Sequence, residues 1–415
     1  MAQFNAFERK LALILSKLPF LKKYIKICYQ YIMYCIYKEK NSYYLHPDVK
    51  LSEAGDKNGS FGGYYDKSTE KNGNYLFHVF KGKISPHKCP LIDISLNQIV
   101  YSHTNTWNWQ QGAMTSWLND KEFIHNFFDK DKFRSKIINI NTRQEKFLDY
   151  PIYKVSHNGN FALSLNFNRL ALLRPDYGYF NNFFQKISKS SAEDGIFYVD
   201  LINNTCKLII SLEQLAAFHS RKEMKNAFHK VNHIDISPND KRIMFLHRWI
   251  NERGQKWSRL ITADTDGNNM YLLADDDMVS HCTWRSDTEI VGWMRKHTLG
   301  DRYLLLHDQS EDFSVIGEGI LTQDGHPGFS KDGRWMLTDS YPDKSRLSGL
   351  ILYDTLKKRK YELGRFYSSM HYVGENRCDL HPRFNNSSDN IITFDSVHTG
   401  VRVMYQMDIS KIINQ

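Results

Sequence analysis

Four times in its second half the chain opens a short extended segment on histidine, turns on Ser, Asn, Asp or Gly, and returns as an apolar strand. His233-Ile-Asp-Ile-Ser-Pro-Asn-Asp leads into Arg242-Ile-Met-Phe-Leu-His247, and His281-Cys-Thr-Trp-Arg-Ser-Asp leads into Glu289-Ile-Val-Gly-Trp293. His326-Pro-Gly-Phe-Ser-Lys-Asp-Gly leads into Arg334-Trp-Met-Leu-Thr338, and His381-Pro-Arg-Phe-Asn-Asn-Ser-Ser leads into Asn390-Ile-Ile-Thr-Phe394. The histidines stand 48, 45 and 55 residues apart, which is the period of a four-stranded propeller blade with variable loops. The Asn-Asp and Asp-Gly pairs provide the positive-φ positions that tight hairpins need.

Three weaker copies lie upstream. Gly63-Tyr-Tyr-Asp-Lys-Ser precedes Tyr75-Leu-Phe-His78, Asn105-Thr-Trp-Asn-Trp-Gln-Gln-Gly follows the strand at 98–101, and Pro151-Ile-Tyr-Lys-Val-Ser precedes Phe161-Ala-Leu-Ser-Leu165. Three copies and four make an all-β, seven-bladed β-propeller over residues 44–415, preceded by a basic amphipathic helical segment over residues 1–43. The third unit is long and is expected to carry an insertion of loop and helix between Arg174 and Phe228.

The charge of +9 favours anionic partners, but no nucleic-acid motif accompanies it, so no nucleic-acid partner is expected. Much of the excess sits in the first forty residues, where lysines recur too often for a membrane-crossing span. Residues 7–37 read as a helix, interrupted near Pro19, with a wide apolar surface beside a basic one. Such a helix suits an anionic membrane face, a partner, or the body of the protein itself. The stretch 11–15 is short for a signal-peptide core and no cleavage site follows. The expected location is therefore the cytoplasm, peripheral to the inner membrane face. Six cysteines without a CxxC pair make no disulfide framework. Aromatic content is 14%, which β-rich folds and sugar-binding surfaces share.

The first strand of each blade lines a propeller's channel, so His233, His281, His326 and His381 are expected to converge there. Gathered imidazoles suit a divalent transition metal, zinc or manganese, and Cys378 could replace one of them as a thiolate. The alternative is that each histidine only bonds a neighbouring blade. Trp107, Asn108, Gln110 and Gln111 set amides among aromatics, which suits either a sugar ring or blade packing. Tyr153 and Arg169 are expected on neighbouring strands of one blade, within reach of one rim.

The motifs Gly63-Tyr-Tyr-Asp-Lys-Ser, Trp107-Asn-Trp-Gln-Gln-Gly, Arg174-Pro-Asp-Tyr-Gly-Tyr, Asp324-Gly-His-Pro and Asp379-Leu-His-Pro-Arg, in that order, resemble the propeller polysaccharide lyases. These are the ulvan lyases and, more distantly, the oligogalacturonate lyases. The resemblance spans roughly residues 44–410. It implies β-elimination at a uronic acid of an anionic polysaccharide, with an arginine or metal neutralising the carboxylate while a base and an acid move protons. It further implies Tyr153 as base and acid, Arg169 as neutraliser, His78 as a second proton-transfer group, and Tyr177 with the Trp107 motif as substrate contacts. A divalent metal, zinc with manganese or calcium as alternatives, would lie on His281, His326 and His381, completed by Cys378 or His233. The competing expectation is a propeller that binds a glycan without cleaving it, or assists a transferase, during capsule or exopolysaccharide synthesis. A nucleotide-sugar transferase itself is excluded, because no parallel α/β pattern is present.

Overall fold

The computed structural model describes residues 19–181 and 186–415. Seven antiparallel sheets follow one another along the chain. Their innermost strands are Ser60–Phe61, Ser116–Trp117, Lys154–Val155, Phe228–Ile236, Val279–Trp284, Gly328–Phe329 and Arg383–Phe384. The seven-bladed expectation therefore holds. The ring closes through the N-terminal side of the chain: Lys50–Glu53 forms the outer strand of blade 7 against Val403–Asp408. Tyr43–Leu45 adds a fifth strand to blade 6, beside Arg359–Tyr367. Pairing of Lys50–Glu53 with the last strand ties the two sides of the described chain together within one sheet.

Strand alternation places one set of side chains between adjacent blades. Leu350, Leu352 and Leu363 of blade 6 share a core with Ile392, Phe394 and Met407 of blade 7, each fully buried. Burial of each such side chain stabilises by about 1.5–3 kcal/mol. Residues 62–69 do not continue a strand. They cross the axis from blade 1 and stack Tyr64 and Tyr65 against the channel histidines.

The third blade departs from the expected single insertion at Arg174–Phe228. Its outer hairpin, Gly195–Asp200 and Thr205–Ser211, lies inside that range, and the added chain is split around it. One piece holds the helix Phe167–Leu173, which Asn166 caps by accepting the Arg169 amide. The other begins with the helix Leu212–Ala217, closed by a Ser211–Gln214 capping box. Ahead of the first strand runs the helix Pro19–Tyr37. The earlier part of the expected helix, from residue 7, lies outside the described residues.

Candidate metal centre and anion pocket at the propeller axis

The four repeat histidines meet. Ring centroids lie 5.4 Å apart for His233 and His281, 4.1 Å for His281 and His326, and 4.4 Å for His326 and His381. The backbone is bent to aim them. The ladder of blade 4 shifts register between Asn232 and Asp235, and that of blade 5 between Val279 and Cys282. Each irregularity brackets a histidine, and such bulges re-aim a side chain. His233 and His381 adopt positive φ, 52° and 45°. A left-handed residue costs about 1–3 kcal/mol and persists only where its surroundings hold it. For His381 the restraint is Asp339, whose Oδ2 accepts the His381 amide at 3.1 Å.

Asp339, on the second strand of blade 6, also accepts the His326 amide at 2.9 Å and its Nδ1 at 2.8 Å. That carboxylate fixes the His326 tautomer and leaves Nε2 facing the axis. His281 is held in the same way, with Nδ1 3.2 Å from Asp324. A carboxylate behind an imidazole is the usual support of a metal-binding histidine. The Nε2 atoms of His233, His326 and His381 are buried and find no partner within the protein. Donor atoms of His326, Asp379 and His381 all lie within 4.8 Å of one another. Two imidazoles, a carboxylate and orphaned ring nitrogens fit a divalent cation.

Burial dominates the electrostatics. It pushes the His281 pKa down to about 4, helped by His326, and holds His233 and His381 well below the usual histidine range. His326 is also desolvated, but the Asp339 charge and hydrogen bond outweigh that and raise it.

Beside His233 and His281 lies a cationic corner. Arg248 faces Lys230 across the blade 4 ladder, and Arg174 stacks over Tyr177 at 4.7 Å. Burial and then Arg174 push Lys230 well below the usual lysine range, and the same two causes bring Arg248 down to about 10. Arg248 donates to the carbonyls of Val279 and Ser280 at 3.3 and 3.4 Å, and its Nε has no partner. Tyr177 and Asp176 hold Arg174 up against desolvation, so the standing cost falls on Lys230 and Arg248, and an anion would relieve it. Asp176 does not relieve it in full, because its Oδ2 is taken by Arg377 at 2.7 Å.

Several site expectations are corrected. Arg169 lies on the helix Phe167–Leu173, not a strand. Its guanidinium is buried against Asp194 at 2.6 Å and the Ser188 and His229 carbonyls at 3.0 Å each, so it holds the inserted segment rather than facing the channel. His78 uses both ring nitrogens: Nδ1 bonds the Phe61 carbonyl at 3.2 Å, while Nε2 bonds Ala113 N–H at 3.0 Å and Thr115 Oγ1 at 2.9 Å. It pins blade 1 to the next loop and, desolvated to a pKa of about 4, stays neutral. Cys378 lies outside the close donor group, and burial lifts its thiol to about 12, which disfavours a thiolate; Asp379 joins the two histidines instead.

The Trp107 motif is interior. Trp107 donates to the Pro90 carbonyl, the Asn108 side chain accepts the Gln110 and Gln111 amides, and Gln110 bridges to the carbonyls of Glu375 and Arg377. Its aromatic faces pack on Phe61 and Trp109, which is the blade-packing alternative. Tyr153 does reach the axis, its hydroxyl accepting from Gln111 at 2.9 Å and from the His233 amide at 3.0 Å. Burial raises its pKa, so it is a poor base there. Tyr177 is also at the axis, with its hydroxyl 3.3 Å from that of Tyr64, which in turn lies 3.1 Å from His233 Nδ1.

Sequence reasoning missed Asp339, Asp379, Arg174 and Arg248. The signal for Asp339 was its place at the end of the strand that pairs with the histidine-bearing segment. For Asp379 it was proximity to His381, and Arg174 stood inside a motif already singled out. Arg248 carried no signal beyond its charge.

No family model matches the sequence, and no curated protein matches it. Among solved structures, an oligogalacturonate lyase in complex with manganese is similar over 91% of this chain and 100% of its own, at 14% identity and a TM-score of 0.62. The tricorn protease matches over 86% and 34% of the two chains at 10% identity, with a TM-score of 0.46. TolB from Acinetobacter baumannii matches over 76% and 65% at 12% identity, with a TM-score of 0.39. The first of these likenesses establishes the shared propeller fold.

Proposed function

We propose that the chain is a metal-assisted polysaccharide lyase, cleaving a uronate-containing anionic glycan by β-elimination. The observation that carries this reading is the cationic corner of Arg248 and Arg174 beside His233 and His281, in the same histidine ring as the donor group of His326, Asp379 and His381. The substrate carboxylate would sit against Arg248 and Arg174, the neutralising role first expected of Arg169. A zinc or manganese ion on His326, Asp379 and His381 would supply further positive charge to that carboxylate.

The neutral imidazole of His281, with its tautomer set by Asp324, takes the C5 proton. The electron pair left on C5 forms the C4–C5 double bond as the C4–O bond breaks. Tyr177 donates a proton to the leaving oxygen, and the proton taken by His281 returns to Tyr177 through the adjoining His233 and the Tyr64 hydroxyl. Purified protein, incubated with each cation and a panel of uronate polysaccharides, should generate the ultraviolet absorbance of an unsaturated uronate. His281→Gln should abolish the signal while leaving glycan binding intact. No product on any substrate with any cation would remove the lyase reading.

One observation favours a second reading, a cytoplasmic glycan-binding propeller of capsule or exopolysaccharide synthesis. The four histidines are only 1–7% exposed, and the Asp176–Arg377 pair spans blades 3 and 7 beside them. Glycan binding without product in the same assay would support it.

A further inference from the structure

We infer that Tyr341 is a substrate-binding residue, whose hydroxyl holds a sugar hydroxyl of the bound glycan beside His281. The inference rests on the reading above that a uronate glycan enters at the axis, and it adds the side chain that orients the sugar there. In blade 6 the strands Trp335–Asp339 and Leu347–Asp354 are joined by residues 340–346, and Tyr341 lies in that loop shortly beyond Asp339. Its ring centroid stands 6.0 Å from that of His326 and 6.5 Å from that of His281.

Tyr64, Tyr65, Tyr153 and Tyr177 also reach the axis, but their hydroxyls are engaged. Tyr64 and Tyr177 bond each other at 3.3 Å, Tyr65 donates to the Cys282 carbonyl at 2.8 Å, and Tyr153 accepts from Gln111 and the His233 amide. All four are at most 6% exposed. Tyr341 differs on both counts. It is half-buried, and among the described residues its hydroxyl has no hydrogen-bond partner. A polar tip left open at the edge of a buried cluster offers an arriving ligand a donor.

The loop holds this ring in place before any ligand arrives. Pro342 follows Tyr341, and a residue before proline is confined to extended backbone. On the other side, the Ser340 amide donates to the Gly349 carbonyl at 2.9 Å, and its Oγ accepts the Gly349 amide at 3.0 Å. Asp343 accepts the amides of Ser345 and Leu347 at 2.8 and 3.0 Å, and Arg365 pins it at 2.7 Å. A side chain fixed in advance loses little freedom on binding. Arg248 approaches His281 from blade 4 and Tyr341 from blade 6. A uronate whose carboxylate meets Arg248 therefore presents its far side to Tyr341, with His281 between the two contacts.

The test is calorimetric titration of the full chain, incubated with manganese, against the panel of uronate polysaccharides, with the absorbance assay run in parallel. Tyr341→Phe keeps the ring beside His281 and His326 and removes only the hydroxyl. Its glycan affinity should fall by at least about threefold, the order of one neutral hydrogen bond, while manganese affinity and melting temperature stay those of the parent. A smaller loss, or a parallel fall in manganese affinity, overturns the inference and leaves the lyase reading as it stood. Binding by the parent without product removes the lyase reading alone, and the same criterion still decides for Tyr341. Failure of the parent to bind any glycan removes both.

Discussion

Replacing Asp339 with asparagine tests how the metal centre is built. The carboxylate accepts three hydrogen bonds, from the His326 amide, from His326 Nδ1 and from the His381 amide, at 2.9, 2.8 and 3.1 Å. An amide of the same shape keeps one oxygen, so its NH2 group must face at least one of these donors. The loss is one or two charge-assisted bonds, about 1.5–3 kcal/mol each, in a residue only 2% exposed on its side chain. Two consequences follow. The metal-free protein should lose about 2–4 kcal/mol in denaturant unfolding, because the positive-φ His381 also loses its restraint. Metal affinity should fall about 10–100-fold, the usual effect of removing a carboxylate behind a histidine ligand, which is about 1.4–2.7 kcal/mol. Titration calorimetry with manganese and zinc on the folded variant measures the second effect separately from the first. Affinity within about twofold of the parent would refute the assignment of Asp339 as the orienting group and, with it, of His326 as a ligand.

Other outcomes follow from the same geometry. Arg169→Ala should destabilise by about 3–5 kcal/mol, since it strands Asp194 in a buried pair, whereas Arg248→Ala should leave the melting temperature nearly unchanged and weaken glycan binding. Gly112→Ala should destabilise by about 2–4 kcal/mol in thermal unfolding: φ is +62° and a Cβ would stand 2.2 Å from His78 Cε1. Manganese or zinc added to metal-free protein should raise the melting temperature, and that gain should vanish in His381→Ala. Asp176→Asn should speed extraction of bound metal by a chelator, because it removes the Arg377 ion pair that ties the inserted segment of blade 3 to blade 7.

The histidine ring was legible before any coordinates, and the reason is the repeat. Equivalent positions on successive inner strands must converge on one axis, so spacing alone brings His233, His281, His326 and His381 together. The roles of single side chains were not legible in this way. Arg169 and His78 have the chemistry a catalytic site needs, yet their donors and acceptors are used by Asp194, His229, Phe61 and Ala113, residues that meet them only after folding. Trp107 and its amides looked equally suited to a sugar and to a core, and burial decided for the core.

What the sequence determined by itself was the period, and with it the fold, the blade number and the axis. Those depend on local alternation and turn chemistry, which are written residue by residue. The tertiary structure alone decided that Lys50–Glu53 closes the ring against blade 7, and that residues 62–69 cross the channel. It also decided that Asp379 joins His326 and His381, and that Arg174, Lys230 and Arg248 share one corner. These juxtapositions join residues distant in sequence, and no local pattern encodes which of many buried charges will be neighbours once seven sheets have packed into a ring.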